Sequence, residues 1–479
     1  MTADHQQQQH HQHHASNEND TVLIVGAGIA GMMLALLLQK AGIPYDIYER
    51  AAEVKALGSA LFFSATTAPI FKQVGIYEEL YALGKNTSSI QIASEQGIEY
   101  KMNFKDQQEL FGSEGYIISR PMLYDVLRRQ IPKERFHLGR KVVSISQQDD
   151  VDKNCNPGKG GVTIEFQDGS TVRGGILVGA DGAYSVVRQS LYSQLKEKNV
   201  LPASDDVPLP FNVVCLVGQT KPLDPEMYPY LKLEDCQFIR TLGDNKPYTE
   251  HGSFKNSEWG PEAVETMCDK VRSFPIISGS ERPWTLGDLI DNTPKELISK
   301  VMLEEKVFET WHYGRAVLIG DACHKLNPAG GSGANCAIHD AVALANRIYA
   351  LPENRTRADI DQAFKAYRDE RMPWVEAAFN TSTMMKSMVQ KGLKATLIRF
   401  LSRNMPDWVT RRITIKMQYY QPQAAFLPLI ENQGTVKPAF QEGLHDTLPI
   451  VEARRKSKHA AKHTSDADAG TTTSIASTT

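Results

Sequence analysis

The stretch from Thr21 to Arg50 constrains the fold more than any other part of this chain. It opens with a short apolar run that ends at Val25, a pattern typical of a strand buried on both faces. A GxGxxG turn and a helix that is apolar nearly all round come next; the glycines are Gly26, Gly28 and Gly31. Such glycines let the chain turn tightly, let backbone N–H groups approach a pyrophosphate, and let the helix lie close to the strand.

A second strand, Tyr45 to Tyr48, follows the helix and ends at Glu49 and Arg50. A carboxylate about 20 residues after the glycines is placed to bind ribose hydroxyls in a dinucleotide fold. The glycines alone also fit a turn in some other α/β protein, but here strand, helix, second strand and acid occur in register. The sequence therefore predicts a Rossmann-like dinucleotide site, whose first binding candidates are the three glycines, Glu49 and Arg50.

Composition narrows the class of protein further. The 479 residues give room for two or three domains, and 53 Lys and Arg against 56 Asp and Glu leave a net charge of −3. This balance creates no global field that would favour nucleic acid or an anionic membrane. The six cysteines form no CxxC pair, which argues against a zinc site and for a reducing compartment. No apolar run approaches the ~20 residues of a membrane span. We therefore expect an intracellular, cytoplasmic protein without a metal.

The order of patterns along the chain predicts an α/β protein with a discontinuous first domain. Strand and helix patterns of the first domain stop near residue 200 and return near residue 305, and the segment between them reads as mostly β. Both ends of the chain are polar, so we expect them to be disordered. The predicted boundaries are 1–19 for an N-terminal tail, 20–200 and 305–355 for the dinucleotide-binding domain, 201–304 for a substrate domain, 356–450 for a C-terminal helical region and 451–479 for a C-terminal tail.

Two later blocks place polar residues directly after buried strands. The central block follows the strand at 175–178 and reads Asp181-Gly182-x-x-Ser185-x-x-Arg188. The third block follows the strand at 315–319 and reads Gly320-Asp321-x-x-His324, then Pro328, then Gly331-x-Gly333-x-Asn335, and finally Asp340. Together with the GxGxxG turn and Glu49, these blocks resemble the FAD-dependent monooxygenases of the para-hydroxybenzoate hydroxylase fold, the group A flavoprotein monooxygenases.

The resemblance spans about residues 20–375, and three ordered motifs are more specific than any one of them. The run from His324 to Pro328 is most similar to fungal epoxidase-like flavoproteins of terpenoid-alkaloid pathways. The resemblance implies a Rossmann-like FAD-binding domain, a mostly β substrate domain and a C-terminal helical region. It also implies FAD as the cofactor and NAD(P)H as a co-substrate.

Each block also has a physical reason to bind a flavin. Asp321 is a short acceptor after a buried strand, suited to the hydroxyl groups of a ribityl chain, although an N-cap or turn residue is the alternative. The glycine-rich turn opens a helix whose free N–H groups and dipole favour negative charge on a reduced flavin ring. The candidates for ring contacts are therefore Gly331, Gly333, Ala334 and Asn335.

The remaining candidates rest mainly on the resemblance. Arg120 is similar to the family arginine that reaches the flavin, with a surface arginine as the alternative, and Asp181 of the central block is a further cofactor-binding candidate. Arg188 is a catalytic candidate that meets a phosphate or the nicotinamide, or else only forms a salt bridge. Tyr228, or Tyr230, is a candidate for substrate contact, although packing is the commoner role. His324 is either a proton shuttle or a hydrogen-bonded residue of the turn.

The resemblance implies that NAD(P)H reduces the flavin and that a flavin C4a-hydroperoxide then hydroxylates or epoxidises an apolar or aromatic small molecule. The predicted partners are thus a small-molecule substrate and O₂, and not nucleic acid, while the oligomeric state stays open. The sequence also fits a flavin dehydrogenase or reductase of the same fold, or a flavin-binding regulatory protein without turnover.

The segment from Lys391 to Lys416 is amphipathic. Leu393, Leu397, Ile398 and Leu401 fall at helical spacing, and basic residues lie off that stripe. A narrow stripe of this kind favours packing on the protein's own core. The second interpretation is peripheral contact with a membrane surface.

Overall fold

The computed structural model covers the whole chain and describes most of it. Tyr228 and Tyr230, the first 19 residues, Lys391 and the last eight residues lie outside the described residues. The described residues are 20–54, 60–87, 89–94, 97–104, 106–148, 160–209, 211–224, 226–227, 241–242, 260–274, 284–388 and 393–471.

A six-stranded sheet forms the centre of the protein. Its strands are β1 (Val22–Val25), β2 (Tyr45–Tyr48), β8 (Phe136–His137), β12 (Ile176–Gly179), β17 (His312–Tyr313) and β18 (Ala316–Leu318). Their order is β17-β18-β12-β1-β2-β8, and all neighbours are parallel except β17 and β18. Every residue of β1, β12 and β18 is buried, which explains their unbroken apolar sequences. The predicted α/β class with a Rossmann-like sheet is confirmed.

Helices cover this sheet, and two of them bring the first and third sequence blocks together. Helix α1 (Ile29–Ala41) packs against α9 (Gly333–Ala350), and α9 in turn packs against α10 (Arg357–Met388). The residues of α1 from 30 to 38 are all buried, as expected for a helix that is apolar nearly all round. The other helices are α2 (Ala68–Val74), α3 (Tyr77–Leu83), α4 (Gln107–Phe111), α5 (Arg120–Gln130), α6 (Val186–Glu197), α7 (Pro261–Val271), α8 (Leu286–Asp291), α11 (Leu393–Arg403), α12 (Asp407–Gln418) and α13 (Glu442–Thr471).

Smaller antiparallel sheets surround the central sheet. They are β3 (Ala60–Phe63) with β7 (Tyr116–Ser119) and β4 (Lys85–Asn86); β5 (Ser89–Ser94) with β6 (Gly97–Asn103); β9 (Val142–Gln148) with β10 (Gly161–Phe166) and β11 (Thr171–Gly174); β13 (Phe211–Val217) with β14 (Thr241–Leu242) and β15 (Ser299–Glu304); and β16 (Lys306–Val307) with β19 (His324–Lys325). Strands β9 and β10 pair antiparallel. Strands β13 and β15 pair the two ends of the inserted segment, so its start and its end lie side by side.

Residues 451–471, the described part of the predicted C-terminal tail, belong to helix α13. Helix α13 continues through Thr471 and docks on α9, where Arg347 pairs with Asp446 at 2.6 Å. Arg454 donates to the carbonyl oxygens of Tyr349 and Leu351, at 2.7 and 3.0 Å. These carbonyls end α9 and have no partner within that helix, so a basic side chain satisfies them. Arg454, which lies within the predicted C-terminal tail, therefore holds part of the fold.

The apolar stripe of α11 also differs from expectation. Leu393, Leu397 and Leu401 are 92%, 57% and 56% exposed, and only Ile398 is half-buried. The favoured interpretation, that the stripe packs on the protein's own core, is therefore wrong. Among the described residues, no helix combines the length and the apolar character that crossing a bilayer requires.

Candidate cofactor site

The three glycines of the first turn have separate roles. Gly26 has φ +102°, and a Cβ there would overlap the carbonyl oxygen of Ala180. A Cβ at Gly31 would overlap the carbonyl oxygen of Gly26. At Gly28, by contrast, no heavy atom of the described residues lies within 4 Å of a Cβ position. Gly26 and Gly31 are thus needed for packing, while Gly28 leaves open space in front of the N-terminus of α1.

Glu49 lies against the same turn. Its Oε2 accepts a hydrogen bond from the Ala27 N–H at 3.0 Å, and its Oε1 accepts one from the Ala51 N–H at 2.9 Å. Each carboxylate oxygen has further lone-pair capacity, so these bonds orient the group and leave it able to accept hydroxyl protons. Arg50 is exposed beside it.

The turn after β18 lies between the two central helices. Gly320 has φ +61°, and a Cβ there would lie 3.2 Å from the Ala30 side chain and 3.3 Å from that of Ala337. Ala30 is the second residue of α1 and Ala337 the fifth of α9, so the N-terminal ends of both helices lie close to Gly320. Asp321 follows it, half-buried, and accepts a 2.5 Å hydrogen bond from Lys325, a partner that the sequence did not suggest.

The N-terminus of α9 carries the predicted ring-binding residues. Gly331 has φ +63°, and a Cβ position at Gly333 meets no described atom within 4 Å. Ala334 is partly buried. The side chain of Asn335 donates from Nδ2 to the carbonyl oxygens of Phe62 (2.8 Å) and Gly331 (3.3 Å). Its Oδ1 is buried and accepts no hydrogen bond within the described part of the chain. An unsatisfied buried acceptor beside open space fits a ligand that donates there.

A buried charge network holds the Gly320 turn from behind. Asp340 Oδ2 accepts from the Gly320 N–H at 2.9 Å and lies 2.6 Å from His324 Nε2, and Asp340 Oδ1 accepts from Arg371 Nε at 2.9 Å. The three side chains are at least 99% buried. Burial alone would raise the pKa of Asp340, but the charges of His324 and Arg371 lower it to about 2. Of the two interpretations of His324, this geometry favours a hydrogen-bonded residue of the turn.

Sequence reasoning missed Arg371, although a signal was present. The fully buried face of α10 repeats at helical spacing, and Arg371 continues it as a cation; its members are Ile360, Phe364, Tyr367, Arg371 and Val375. A charge within such a stripe requires a buried partner.

The same network gives an arrangement of potential metal ligands that does not suit a metal. Cys323, His324 and Asp340 offer ligand atoms within 4.8 Å of one another. Burial raises the pKa of the Cys323 thiol well above its usual range, and the Arg371 guanidinium already neutralises Asp340. A protonated thiol beside a bound guanidinium is a poor cation site.

Arg188 is buried between the central block and the Gly320–Ala322 turn. Its guanidinium is buried and donates to the carbonyl oxygens of Ala322 (2.7 Å) and Ala183 (2.5 Å), with its centre 4.2 Å from the ring of Phe308. It therefore ties the central block to the Gly320–Ala322 turn. This geometry fits a positioning residue, and the catalytic role of Arg188 stays a prediction.

Asp181 lies at the start of α6, against the first glycine turn. Its Oδ2 accepts from the Val186 N–H at 2.7 Å and the Val187 N–H at 3.3 Å. Its Oδ1 is buried without a partner among the residues described. Burial raises the pKa of Asp181.

Arg120 is not drawn into this cluster. It begins α5, where Ser119 caps the helix through the Met122 N–H, and its side chain is exposed. The structure thus brings together the glycines, Glu49, Asp181 and the residues from Gly320 to Asn335, and leaves Arg120 on the surface.

Comparisons with known proteins agree with this geometry. The family described as "FAD binding domain" matches residues 19–239 and 287–382. The FAD-dependent monooxygenase penM of Penicillium crustosum is 28% identical over 431 residues, which cover 85% of this chain and 83% of that protein. The FAD-dependent monooxygenase paxM of Penicillium paxilli is 28% identical over 403 residues, covering 79% and 80% of the two chains.

Solved structures share the fold. Klebsiella pneumoniae HpxO, in complex with FAD and uric acid, matches with a TM-score of 0.61 at 19% identity, over 83% of this chain and 96% of that one. OxyS anhydrotetracycline hydroxylase from Streptomyces rimosus matches with a TM-score of 0.58 at 20% identity, over 84% and 76%. At such identities the likeness concerns the fold alone.

Proposed function

The chain belongs to the FAD binding domain family and is an FAD-dependent oxidoreductase, and from this premise we propose that it is a monooxygenase that uses NAD(P)H and O₂. The proposed reaction is hydroxylation or epoxidation of an apolar or aromatic small molecule. The observation that carries the proposal is the convergence of the N-termini of α1 and α9 on Gly320. Two helix N-termini offer separate sites for two negative groups, a pyrophosphate and a reduced flavin ring.

The residues present fit FAD as a dinucleotide. The open space at Gly28 suits a pyrophosphate, and the oriented carboxylate of Glu49 suits the adenosine ribose. Asp321 would accept from the ribityl hydroxyls, and the open space at Gly333 with the unsatisfied Asn335 Oδ1 suits the ring. Bound FAD would supply the redox chemistry, accepting electrons from NAD(P)H and delivering them to O₂.

The protein's own part in the reaction is to fix these groups and to exclude water. The Asp340 network holds the turn that presents Asp321, so little reorganisation is needed when negative charge develops near α9. Next to that helix, the rings of Phe62 and Phe104 stack with centroids 5.1 Å apart, and Phe62 lies 3.7 Å from the Cβ position of Gly331. An apolar wall at this point supports an apolar or aromatic substrate.

The test uses the purified full chain. We expect FAD to be released intact on denaturation, NADH or NADPH to be consumed faster in the presence of a terpenoid or phenol from a panel, and one atom from ¹⁸O₂ to appear in the product by mass spectrometry. A product without ¹⁸O would identify the dehydrogenase or reductase alternative. Bound FAD without any substrate-stimulated NAD(P)H consumption would identify the regulatory alternative.

A further inference from the structure

We propose that the outer face of α11 and α12 binds a bilayer surface that contains anionic lipid. The apolar part of this face, here called the outer apolar row, consists of Leu393, Leu397, Phe400, Leu401 and Trp408. Its position and charge, rather than any feature of the cofactor site, carry the proposal.

The members of the outer apolar row are exposed on both helices, four of them on α11 and Trp408 on α12. Its four members on α11 stand at i, i+4, i+7 and i+8, which places them on one helix face. Phe400 is 62% exposed and Trp408 is 64% exposed, in addition to the three exposed leucines. Single exposed apolar residues are common on soluble proteins, but a row of large ones marks an interaction surface.

The positive charge of the same segment favours an anionic partner. Residues 393–418 contain six basic residues and one acidic residue, a net charge of +5 in a chain whose net charge is −3. Arg411 pairs with Asp106 and Glu109, which fixes α12 to α4. Arg412 and Lys416 are exposed at i+4 and i+8 from Trp408, and so lie on its side of α12. Tryptophan beside cations on one exposed face is the pattern of helices that lie in a lipid headgroup region.

A second copy of the chain fits this face less well than a bilayer does. Two-fold association would place the same basic segment against itself, and like charges across an interface oppose binding. An anionic bilayer offers both an apolar layer for the row and negative headgroups for the cations.

The location of the face adds a consequence that rests on the proposed function. Ser382 on α10 contacts the turn at Gly330, and α10 ends six residues later at Met388, about 9 Å along the helix. Helix α11 packs against α10. The face therefore lies near the candidate ring-binding turn. An apolar substrate dissolved in a bound bilayer would then lie close to the candidate flavin site.

The experiment is cosedimentation of the FAD-loaded full chain with phosphatidylcholine vesicles, with and without phosphatidylserine. We expect sedimentation with the anionic vesicles at low salt and its loss at high salt, because salt screens the exposed cations. The variant L397S/F400S should bind at least fivefold more weakly, while V143S/V200S, which changes two exposed residues elsewhere, should bind like the original chain. R412Q/K416Q should also weaken binding, whereas K133Q/K141Q should not.

Flavin content and NAD(P)H consumption are measured on the same preparations. The exposed positions predict unchanged flavin content in every variant, so a loss of vesicle binding with flavin retained supports the proposal. Equal binding of neutral and anionic vesicles, no binding at all, sedimentation without vesicles, or full binding by L397S/F400S would each overturn it. Vesicle binding without substrate turnover would remove the proposed function and leave the membrane surface intact.

Discussion

Replacing Arg371 by methionine tests the buried charge network most directly. The change removes the guanidinium that lies 2.9 Å from Asp340 and keeps a side chain of similar length. Both residues are fully buried, so Asp340 loses its fixed cation in a place that water does not reach. Removing one partner of a buried ion pair lowers the free energy of unfolding by about 3–5 kcal/mol. His324 and the Gly320 N–H still contact Asp340, so we expect a value near the lower end, about 3 kcal/mol.

The matched control lies on the same helix. Lys365 pairs with Asp369 on the exposed side of α10, and K365M should lower the free energy of unfolding by only about 0.3–0.5 kcal/mol. Urea unfolding of the FAD-loaded and FAD-free proteins, followed by tryptophan fluorescence, measures both variants; Trp311, whose ring centroid is 5.5 Å from that of His324, reports on the network itself. If R371M falls within 1 kcal/mol of K365M by this measure, the assignment of Arg371 as the stabilising cation is refuted.

Three further predictions address the turn, the pH dependence and the end of the chain. G28A should fold normally but retain FAD at least tenfold more weakly. G31A should lower the melting temperature even without FAD, because the Cβ at position 31, unlike that at position 28, overlaps the backbone. Circular dichroism measures the melting temperature, and flavin content measures FAD retention. Burial, followed by the charge of Arg371, lowers the pKa of His339 from about 6.5 to about 3. Between these two pKa values, His339 is protonated in the unfolded chain and neutral in the folded chain. The free energy of unfolding therefore falls as the pH drops from about 6.5 toward 3, by up to about 1.4 kcal/mol per pH unit. In urea titrations at several pH values, H339Q should lack this contribution to the pH dependence. A chain ending before Glu442 should lose the docking of α13 on α9 and aggregate, as measured by soluble yield, whereas one ending after Thr471 should not.

The parts of the fold that the sequence predicted are those with local signals. The apolar run before Gly26 and the glycine spacing depend on neighbours a few residues away, and they placed the central strand and α1 correctly. The same holds for the buried strand before Asp321. The structure that such segments prefer locally is the structure that they adopt in the folded chain.

The features that the sequence did not reveal depend on distant parts of the chain. Arg188 donates a hydrogen bond to the carbonyl oxygen of Ala322, 134 residues away, and no local sequence pattern predicts that contact. Arg371 resembles an ordinary surface residue of a helix until its buried stripe is traced. The stripe of α11 was expected to face inward, but an amphipathic pattern states only that two faces differ, and the rest of the fold decides which face is covered.

The order of strands in the central sheet has a consequence for the protein's synthesis. Val22 of β1 pairs with Ile176 of β12, and Leu177 of β12 pairs with Ala316 of β18. The middle of the sheet therefore cannot form until residues far along the chain have been synthesised. At roughly 5–20 residues per second, a ribosome needs about 15–60 s to travel from the first of these strands to the last. Strand β2 is made early, but β1 lacks its other neighbour, β12, until residue 176, and α1 lacks α9 until residue 333. Apolar surface that stays exposed during synthesis is prone to aggregation, and the two helix N-termini can meet at Gly320 only after about 70% of the chain has been made.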